Sequence, residues 1–337
     1  MSSLADYTTL GVGGPARTFI HAKSEEELIS AIQSADAAGE PLLIIGGGSN
    51  ILIGDSGFEG TVIRVETAGN SYEIDACSGG TLQVAAGVSW DEFVAFTLEK
   101  GLANLECLSG IPGTVGGSPI QNIGAYGHEV AEVIARVRTY DRQEKEVKTF
   151  TASECGFSYR SSIFKESGNR FVILDVTFQL RNGEESLPIA YPELASELGV
   201  RVGERAPIKK VREAVLKLRG KKGMLEGLGI HSAGSFFTNP IVSRAIAEKL
   251  PVAAPQWPQE DGRVKLSAAW LMEHAGVAKG ETLGGAAISA YHVLALTNAD
   301  HATAADIVEL ARFAQAKVKS AFGITLEPEV RFIGVKL

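Results

Sequence analysis

Apolar residues along this chain switch between two spacings. Behind Ser24-Glu-Glu-Glu27, a capping-box pattern, Leu28, Ile29 and Ile32 recur at helical intervals until Gly39. Residues 41–45, ending in Leu-Leu-Ile-Ile, then predict a buried strand. Ser89 and Glu92 open a second helix that Gly101 closes. Over residues 171–180 the period falls to two. Val172, Leu174, Val176, Phe178 and Leu180 share one face, which predicts a half-buried strand.

Residues 182–207 are a polar stretch that carries Tyr191. A helix is predicted from about 208 to 218 and stopped by Gly220, with Arg219, Lys221 and Lys222 clustered at its end. Beyond Ser235 the pattern predicts helices over 241–250, 267–275 and 303–321, the last capped by Thr303 with Asp306. The proline-rich residues 251–258 read as a loop. A final strand over 324–333 sets Glu327, Glu329 and Arg331 on one face and Leu326, Val330 and Phe332 on the other. Pro328 inside it implies an edge strand or a bulge. No internal repeat interrupts this mixture of helices and strands.

The least side chain lies in residues 108–127, Leu-Ser-Gly-Ile-Pro-Gly-Thr-Val-Gly-Gly-Ser-Pro-Ile-Gln-Asn-Ile-Gly-Ala-Tyr-Gly, too little to bury as a core strand or helix. Gly46-Gly-Gly-Ser-Asn50 and Gly11-Val-Gly-Gly14 are shorter elements of the same kind. Glycine permits positive φ and close approach of backbone to a ligand. Successive N–H groups then form concavities suited to phosphate oxygens. Three separated cradles imply one large phosphorylated ligand; three ordinary tight-turn loops are the plainer alternative.

Composition narrows the class. With 337 residues the chain is expected to form two or three domains. Its 45% hydrophobic and 21% charged content is that of a soluble globular protein. No apolar run approaches the roughly 20 residues needed to cross a bilayer. The N-terminal Met1-Ser-Ser-Leu-Ala-Asp6 has neither a basic nor an apolar leader region, so secretion is not expected. Cys77, Cys107 and Cys155 are odd in number and lack a CxxC spacing, which favours free thiols in a reducing cytoplasm and no metal site. A net charge of −8 argues against nucleic acid as the main partner, and an anionic ligand would need local basic residues. The Walker A, HExxH, GxSxG and GxGxxG patterns are all missing. Ser232-Ala-Gly-Ser-Phe-Phe-Thr-Asn-Pro240 sets the Ser235 hydroxyl between a glycine and two aromatics. Tyr159-Arg-Ser-Ser-Ile-Phe-Lys165 sets Arg160 in apolar surroundings, and Glu327-Pro-Glu-Val-Arg331 places acids near the end of the chain. Singly these read equally as a helix cap, a snorkelling arginine and a solvated edge strand.

Taken in order, the motifs resemble the UDP-N-acetylenolpyruvoylglucosamine reductases of bacterial cell-wall synthesis. They are Thr9-Leu-Gly-Val-Gly-Gly-Pro-Ala16, Gly46-Gly-Gly-Ser-Asn-Ile-Leu52, Gly110-Ile-Pro-Gly-Thr-Val-Gly-Gly117, Gln121-Asn-Ile-Gly-Ala-Tyr-Gly127, Tyr159-Arg160, Gly234-Ser-Phe-Phe237 and Leu326-Glu-Pro-Glu-Val-Arg331. The resemblance implies an α+β protein: an FAD-binding fold of the vanillyl-alcohol oxidase type in two subdomains, plus an α+β substrate-binding domain. Residues 1–67, joined by the strand 324–337, would be the first subdomain, 68–222 the second and 223–323 the substrate domain. The implied reaction passes a hydride from NADPH to FAD, then from flavin N5 to the enolpyruvyl C3 of UDP-N-acetylglucosamine enolpyruvate, giving UDP-N-acetylmuramate. By resemblance Ser235 gives the proton to C2, Arg160 balances the developing charge, and Glu329, if protonated with a raised pKa, bonds the enolic carboxylate.

The same resemblance assigns FAD contacts to Gly46, Gly47, Gly48, Ser49, Asn50, Ile111, Pro112, Gly113, Val115, Gly116, Gly117, Asn122, Gly124, Tyr126, Arg219 and Arg331. Tyr191 falls in the extra loop of the type I branch and would fold over the substrate diphosphate. Lys222 matches the diphosphate-binding lysine, with Lys221 as a rival, in a segment that lacks the family's proline. Asn239 and His292 complete the substrate contacts, although His292 reads equally as a surface-loop histidine. His231-Ser232 stands where many members carry Gly-Asn. The expected protein is a cytoplasmic monomer with no metal and with neither nucleic-acid nor membrane partner. The alternative is a flavin oxidase of the same fold acting on a small alcohol or hydroxy acid.

Overall fold

The computed structural model describes residues 2–75 and 77–337, and these divide into two compact units. The first unit is Ala16–Gly47 with Glu59–Leu228. A small sheet in it runs in the order Ala16–Ala22, Phe58–Val65, Leu42–Ile45, the last two strands parallel with Leu42 opposite Thr61. Helix α1 (Glu25–Ala37) buries Leu28, Ile32 and Ala35. Ser24 Oγ accepts the Glu27 N–H at 3.1 Å, but the Glu27 carboxylate takes the Lys23 N–H at 2.7 Å, so only half of the expected capping box forms. Helix α2 (Trp90–Glu99) follows, and Gly101 beyond it takes φ +71°.

The larger sheet of this unit is antiparallel, in the order Glu146–Thr151, Ile134–Asp141, Phe171–Asn182, Gly79–Ala85, Asn70–Asp75. Strand Phe171–Asn182 has neighbours on both edges, and Ile173 and Asp175 are buried as well as the alternating set. It is therefore covered on both faces over its first half rather than half-buried throughout. Asp175 is accommodated by bonds from Arg138 and Gln83. Three helices complete the unit: α3 (Ile163–Glu166), α4 (Pro192–Leu198) and α5 (Ile208–Lys221). Helix α4 rises out of the polar stretch, with Pro192 in its first turn and Gly199 at φ +70° at its end. Its Leu194 and Ala195 pack with Val211, Ala214, Val215 and Leu218 of α5. Gly220 lies inside α5 instead of stopping it, because one helical glycine costs only about 1 kcal/mol. Gly223, at φ +66°, is the left-handed residue past the end.

The second unit is Ser2–Pro15, Gly48–Phe58 and Gly229–Leu337. Its sheet, in the order His231–Ser232, Leu296–Asn298, Ala286–Ile288, Thr282–Leu283, shares a core with the helix Ala304–Phe322. Strands of two or three residues carry no readable period, which is why the sequence did not announce them. Residues 241–250 are not one helix: Ile241–Val242 pairs with Val264–Leu266, and only α6 (Arg244–Ala247) is helical. Gln256–Pro258 of the supposed loop is the third strand of that sheet. Helices α7 (Ala268–His274) and α8 (Ala304–Phe322) start within a residue of their expected positions; Ser267 caps the first, and Thr303 and Asp306 form both bonds of a capping box on the second.

The last strand is shorter than its alternation suggests. Only Arg331–Ile333 is a strand, parallel to Ile51–Ile53. Pro328 has no N–H to give, and the chain changes partner around it. Glu329 donates its N–H to the Phe236 carbonyl at 2.8 Å, while Thr238 donates to the Glu327 carbonyl at 2.9 Å.

One buried ion pair makes the stability of the larger sheet measurable. Asp141 has 0% exposure and takes the Arg170 guanidinium at 2.7–3.1 Å, as well as the Gln143 N–H at 3.0 Å. The Arg170 bonds hold its carboxyl below the ordinary carboxylate range. The native pKa is the lower one, so its stabilisation is complete above about pH 4 and is lost as the pH falls through the depressed native value. Asp141→Asn is expected to lower the unfolding free energy at pH 7 by about 2–3 kcal/mol. Denaturant titrations at pH 7 and pH 3 check this, and the gap between parent and variant must shrink at the lower pH.

Candidate functional site

In the first unit the loop after strand Leu42–Ile45 meets the long glycine-rich loop. A Cβ on Gly46 would lie 2.5 Å from Thr114 Oγ1, and one on Gly47 would lie 2.8 Å from Gly113 Cα. Two stretches of bare backbone thus approach more closely than any side chain would allow. Gly46, Gly47 and Thr114 line a cleft of about 340 Å³ together with Arg64, Val65, Glu66, Thr67, Ala68, Gly87, Val88, Ser89 and Glu92. That volume is within the usual range for a small-molecule site, about 300–1,000 Å³.

The rear of the long loop is pinned to neighbouring backbone. Val115, Gly116 and Gly117 donate their N–H groups to the carbonyls of Val88, Ala86 and Thr114 at 2.8, 2.8 and 3.0 Å. Trp90 donates its indole N–H to Leu108 at 2.9 Å and its backbone N–H to Gly113 at 3.0 Å. Residues 111–114 keep partial exposure beside the cleft. Arg219 lies behind, Nε on the Gly110 carbonyl at 2.9 Å and Nη2 on Met224 at 3.2 Å; burial holds its pKa below the ordinary guanidinium value. A cleft that presents the bare backbone of Gly46, Gly47 and Gly87, with the Arg64 cation in its lining, fits a phosphorylated ligand such as FAD.

Three non-glycine residues near this loop hold positive φ: Asn122 at 47°, Tyr126 at 51° and Arg160 at 57°. Such backbone costs about 1–3 kcal/mol per residue and persists only where its surroundings enforce it. Asn122 is 1% exposed, and its side chain donates to Glu129 Oε2 at 2.6 Å and to the Ser158 carbonyl at 3.1 Å, while accepting the Ala131 N–H at 3.1 Å. Arg160 Nη2 donates to the Gly124 carbonyl at 2.7 Å, and Lys165 Nζ donates to the Arg160 carbonyl at 2.9 Å. Asn122, Gly124 and Arg160 therefore form one cluster. Tyr126 meets Tyr191 edge to face at 5.5 Å, and burial pushes its phenol up to about 12, against the pull of Arg219. Tyr191 is partly exposed, and burial raises its pKa too.

The two rival lysines separate here. Lys221 shares the Glu197 carboxylate with Lys217, away from the tyrosines. Lys222 bonds Glu193 and lies 5.9 Å over the Tyr126 ring, so it is the one grouped with Tyr126 and Tyr191.

In the second unit, Gly48 at φ +64° leaves no room for a Cβ, which would sit 1.9 Å from the Tyr7 carbonyl oxygen. Gly234 turns at φ +69° into Ser235, and the next two residues, Phe236 and Phe237, are 1% exposed. Phe236 donates to the Leu294 carbonyl at 2.8 Å and accepts from Glu329. Asn50 Nδ2 donates to the Glu329 carbonyl at 3.2 Å, and Arg331 donates its N–H to the Asn50 carbonyl at 3.1 Å. Ser235, Glu329, Asn50 and Arg331 thus lie on one backbone network. His292 is in the turn just before Leu294, its carbonyl accepting the Ala295 N–H at 3.0 Å. Asn239 stands further along, its side-chain oxygen accepting the Ala268 N–H at the start of α7. Thr114, Glu129 and Ser158 were missed from the sequence; Thr114 sits inside the glycine motif and was the one open to discovery.

Comparisons with known proteins show what the chain is similar to. Residues 226–333 match the family model described as UDP-N-acetylenolpyruvoylglucosamine reductase, C-terminal domain, and residues 16–149 match that of an FAD binding domain. The UDP-N-acetylenolpyruvoylglucosamine reductase of Cutibacterium acnes is 52% identical over 337 residues, covering 98% of this chain and 89% of that protein. The one from Thermobifida fusca is 49% identical, covering 99% and 97%. The crystal structure of UDP-N-acetylenolpyruvylglucosamine reductase from Thermus caldophilus superposes with a TM-score of 0.69 at 27% identity, covering 98% of this chain and 97% of that one.

The glycine wall can be tested directly. Gly47→Ala must push the Gly113 backbone away, and overpacking of this kind costs about 1–3 kcal/mol. The expected outcome is a melting temperature several degrees lower, read by circular dichroism. An unchanged melting temperature would mean that the two loops are not in contact.

Proposed function

This chain belongs to the UDP-N-acetylenolpyruvoylglucosamine reductase family, and from that premise we propose that it reduces UDP-N-acetylglucosamine enolpyruvate to UDP-N-acetylmuramate with NADPH, through FAD, in the supply of peptidoglycan precursor. The single observation that carries this reading is the bond from the Glu329 N–H to the Phe236 carbonyl, which ties the segment that carries Ser235 to the segment that carries Glu329. FAD, when bound, supplies the redox chemistry, taking a hydride equivalent from NADPH and passing one to the enolpyruvyl C3.

The protein's own residues then deal with charge and proton. Adding hydride to C3 leaves negative charge at C2 and its carboxylate. The Ser235 hydroxyl donates a proton to C2, completing the saturated lactyl ether; a carbanionic carbon is basic enough to take it from a held hydroxyl. The Arg160 guanidinium offsets the charge while it develops, and protonated Glu329 donates a hydrogen bond to the substrate carboxylate. The bare backbone of Gly46–Gly47 and Ile111–Gly113, with Gly48–Asn50, Val115–Gly117, Asn122, Gly124, Tyr126, Arg219 and Arg331, would hold FAD. Lys222 and Tyr191 would take the substrate diphosphate, with Asn239 and His292 as further contacts.

We assign residues 1–67 with 324–337 and residues 68–222 to the cofactor, and 223–323 to the substrate. We also read the protein as a cytoplasmic monomer. No helix among the described residues is long and apolar enough to cross a membrane. The relatives carry the reductase name, which weighs against the oxidase alternative.

Rapid mixing separates the two half-reactions. Ser235→Ala should still bleach on NADPH, yet reoxidise with the enolpyruvyl substrate at least about 10²-fold more slowly. Equal slowing of both halves counts against the proton-donor role. Lys222→Ala should raise KM for the UDP-sugar about tenfold with little change in kcat, whereas Lys221→Ala should leave KM near that of the parent. The reverse pattern would move the diphosphate to Lys221.

A further inference from the structure

The loop that opens at Gly110 carries almost no side chain, and charged groups outside it fix its entry. Asp91, in the first turn of α2, accepts the Gly110 N–H on Oδ1 at 2.6 Å. Arg219 holds the carbonyl of the same glycine. Arg212 of α5 grips Asp91 with both arms, Nη1 to Oδ1 at 2.6 Å and Nη2 to Oδ2 at 2.8 Å. The carboxyl is costly to bury, but the Arg212 and Gly110 bonds outweigh that and keep its pKa below the ordinary range. Gly110 is at φ +69°, with Leu225 and Leu216 only 2.7 and 2.8 Å from where a Cβ would stand, so it cannot shift without disturbing α5.

Three residues later the turn is tied down again, by Trp90 on the Gly113 carbonyl. Trp90 and Asp91 are neighbours, so one turn of α2 grips the glycine turn at both ends. Gly113 is also the residue on which Gly47, part of the cleft lining, packs directly. Any loosening at Gly110 is therefore passed through Gly113 to the Gly46–Gly47 side of the cleft. A carboxylate suits this post better than an amide would. Its bonds to N–H and guanidinium groups are charge-assisted and shorter, and only two equivalent oxygens match the guanidinium fork.

We propose that Asp91, clamped by Arg212, is a positioning residue for the cofactor, which fixes the Gly110–Gly113 turn on α2 and thereby sets the affinity of the cleft for FAD. This rests on the reading that the cleft takes FAD. Neither side chain touches the reacting atoms; each acts through the backbone of the loop.

The test is a titration of FAD-stripped protein with FAD, followed by flavin fluorescence, together with the visible absorption spectrum of the bound flavin. Asp91→Ala is expected to raise the FAD Kd by about tenfold or more. Asp91→Asn keeps an acceptor for Gly110 but loses the fork, so it should fall between Asp91→Ala and the parent and resemble Arg212→Met. All three should shift the flavin absorption band. Asp141→Asn is the control, since it breaks another carboxylate–guanidinium pair in the same unit and should lower the melting temperature without moving the Kd. If Asp91→Ala fails to fold, Asp91→Asn and Arg212→Met carry the measurement. Kd values within twofold of the parent in these variants overturn the proposal, as does an equal rise in Asp141→Asn. Failure of the parent apoprotein itself to take up FAD would instead overturn the functional reading on which the proposal stands.

Discussion

A binding surface made of bare backbone cannot hold its own shape, and the first unit is organised around that constraint. Side chains normally lock a loop by packing beneath it, but Gly113, Gly116 and Gly117 have none to offer. The loop is instead fastened from behind, by carbonyls of residues 86–88, by the indole and amide of Trp90, and by Arg219. Those fasteners are themselves immobile. Trp90 is 1% exposed, within a cluster that includes Phe93 and Phe178. Rigidity thus passes from an ordinary apolar core, through one helix terminus, to a strip of peptide with no core of its own.

The second unit reaches the same end differently. There the fastening is a relay of main-chain bonds from Leu294 to Phe236, to Glu329, to Asn50, to Arg331, with a single asparagine side chain as one link. Ser235 and Glu329 inherit their positions from this relay and from the paired phenylalanines under it. As the catalytic groups we propose, they would need little reorganisation on such backbone when charge develops. Arg160 is held by another device, a strained left-handed backbone steadied by Gly124 and Lys165.

What the sequence made legible follows the range of each interaction. Helices α1 and α8 could be placed from their caps because a cap is settled within four residues. The proposed site could be read for a related reason: Gly46–Asn50, residues 110–127, Arg160 and Ser235 stand in short fixed-order motifs. Features decided by distant partners were hidden. The alternation through Glu327, Glu329 and Arg331 suggested one strand, but Phe236 and Ile51, far away in the chain, claim different parts of it. Gly220 looked like a terminator, yet α5 runs on to Lys221 and Gly223 takes the left-handed turn past its end. No local pattern distinguishes Asn122, Tyr126 or Arg160 as left-handed, since only the assembled fold imposes that conformation. Helix α4 escaped notice because seven residues with two buried side chains make too faint a stripe.

The parallel pairing of Ile51–Ile53 with Arg331–Ile333 has a consequence for biosynthesis. The first of these strands leaves the ribosome long before the second. Residues 48–58 bond early to residues 2–15 of the same unit, as in the bond from the Gly14 N–H to the Gly54 carbonyl, but their strand partner comes only with Gly229–Leu337. The second unit therefore cannot be completed until that segment is made, whereas the first is complete by residue 228. In the interval the short apolar edge of Ile51, Leu52 and Ile53 lacks its neighbour, and the nascent protein must keep it from other chains until Arg331–Ile333 arrives.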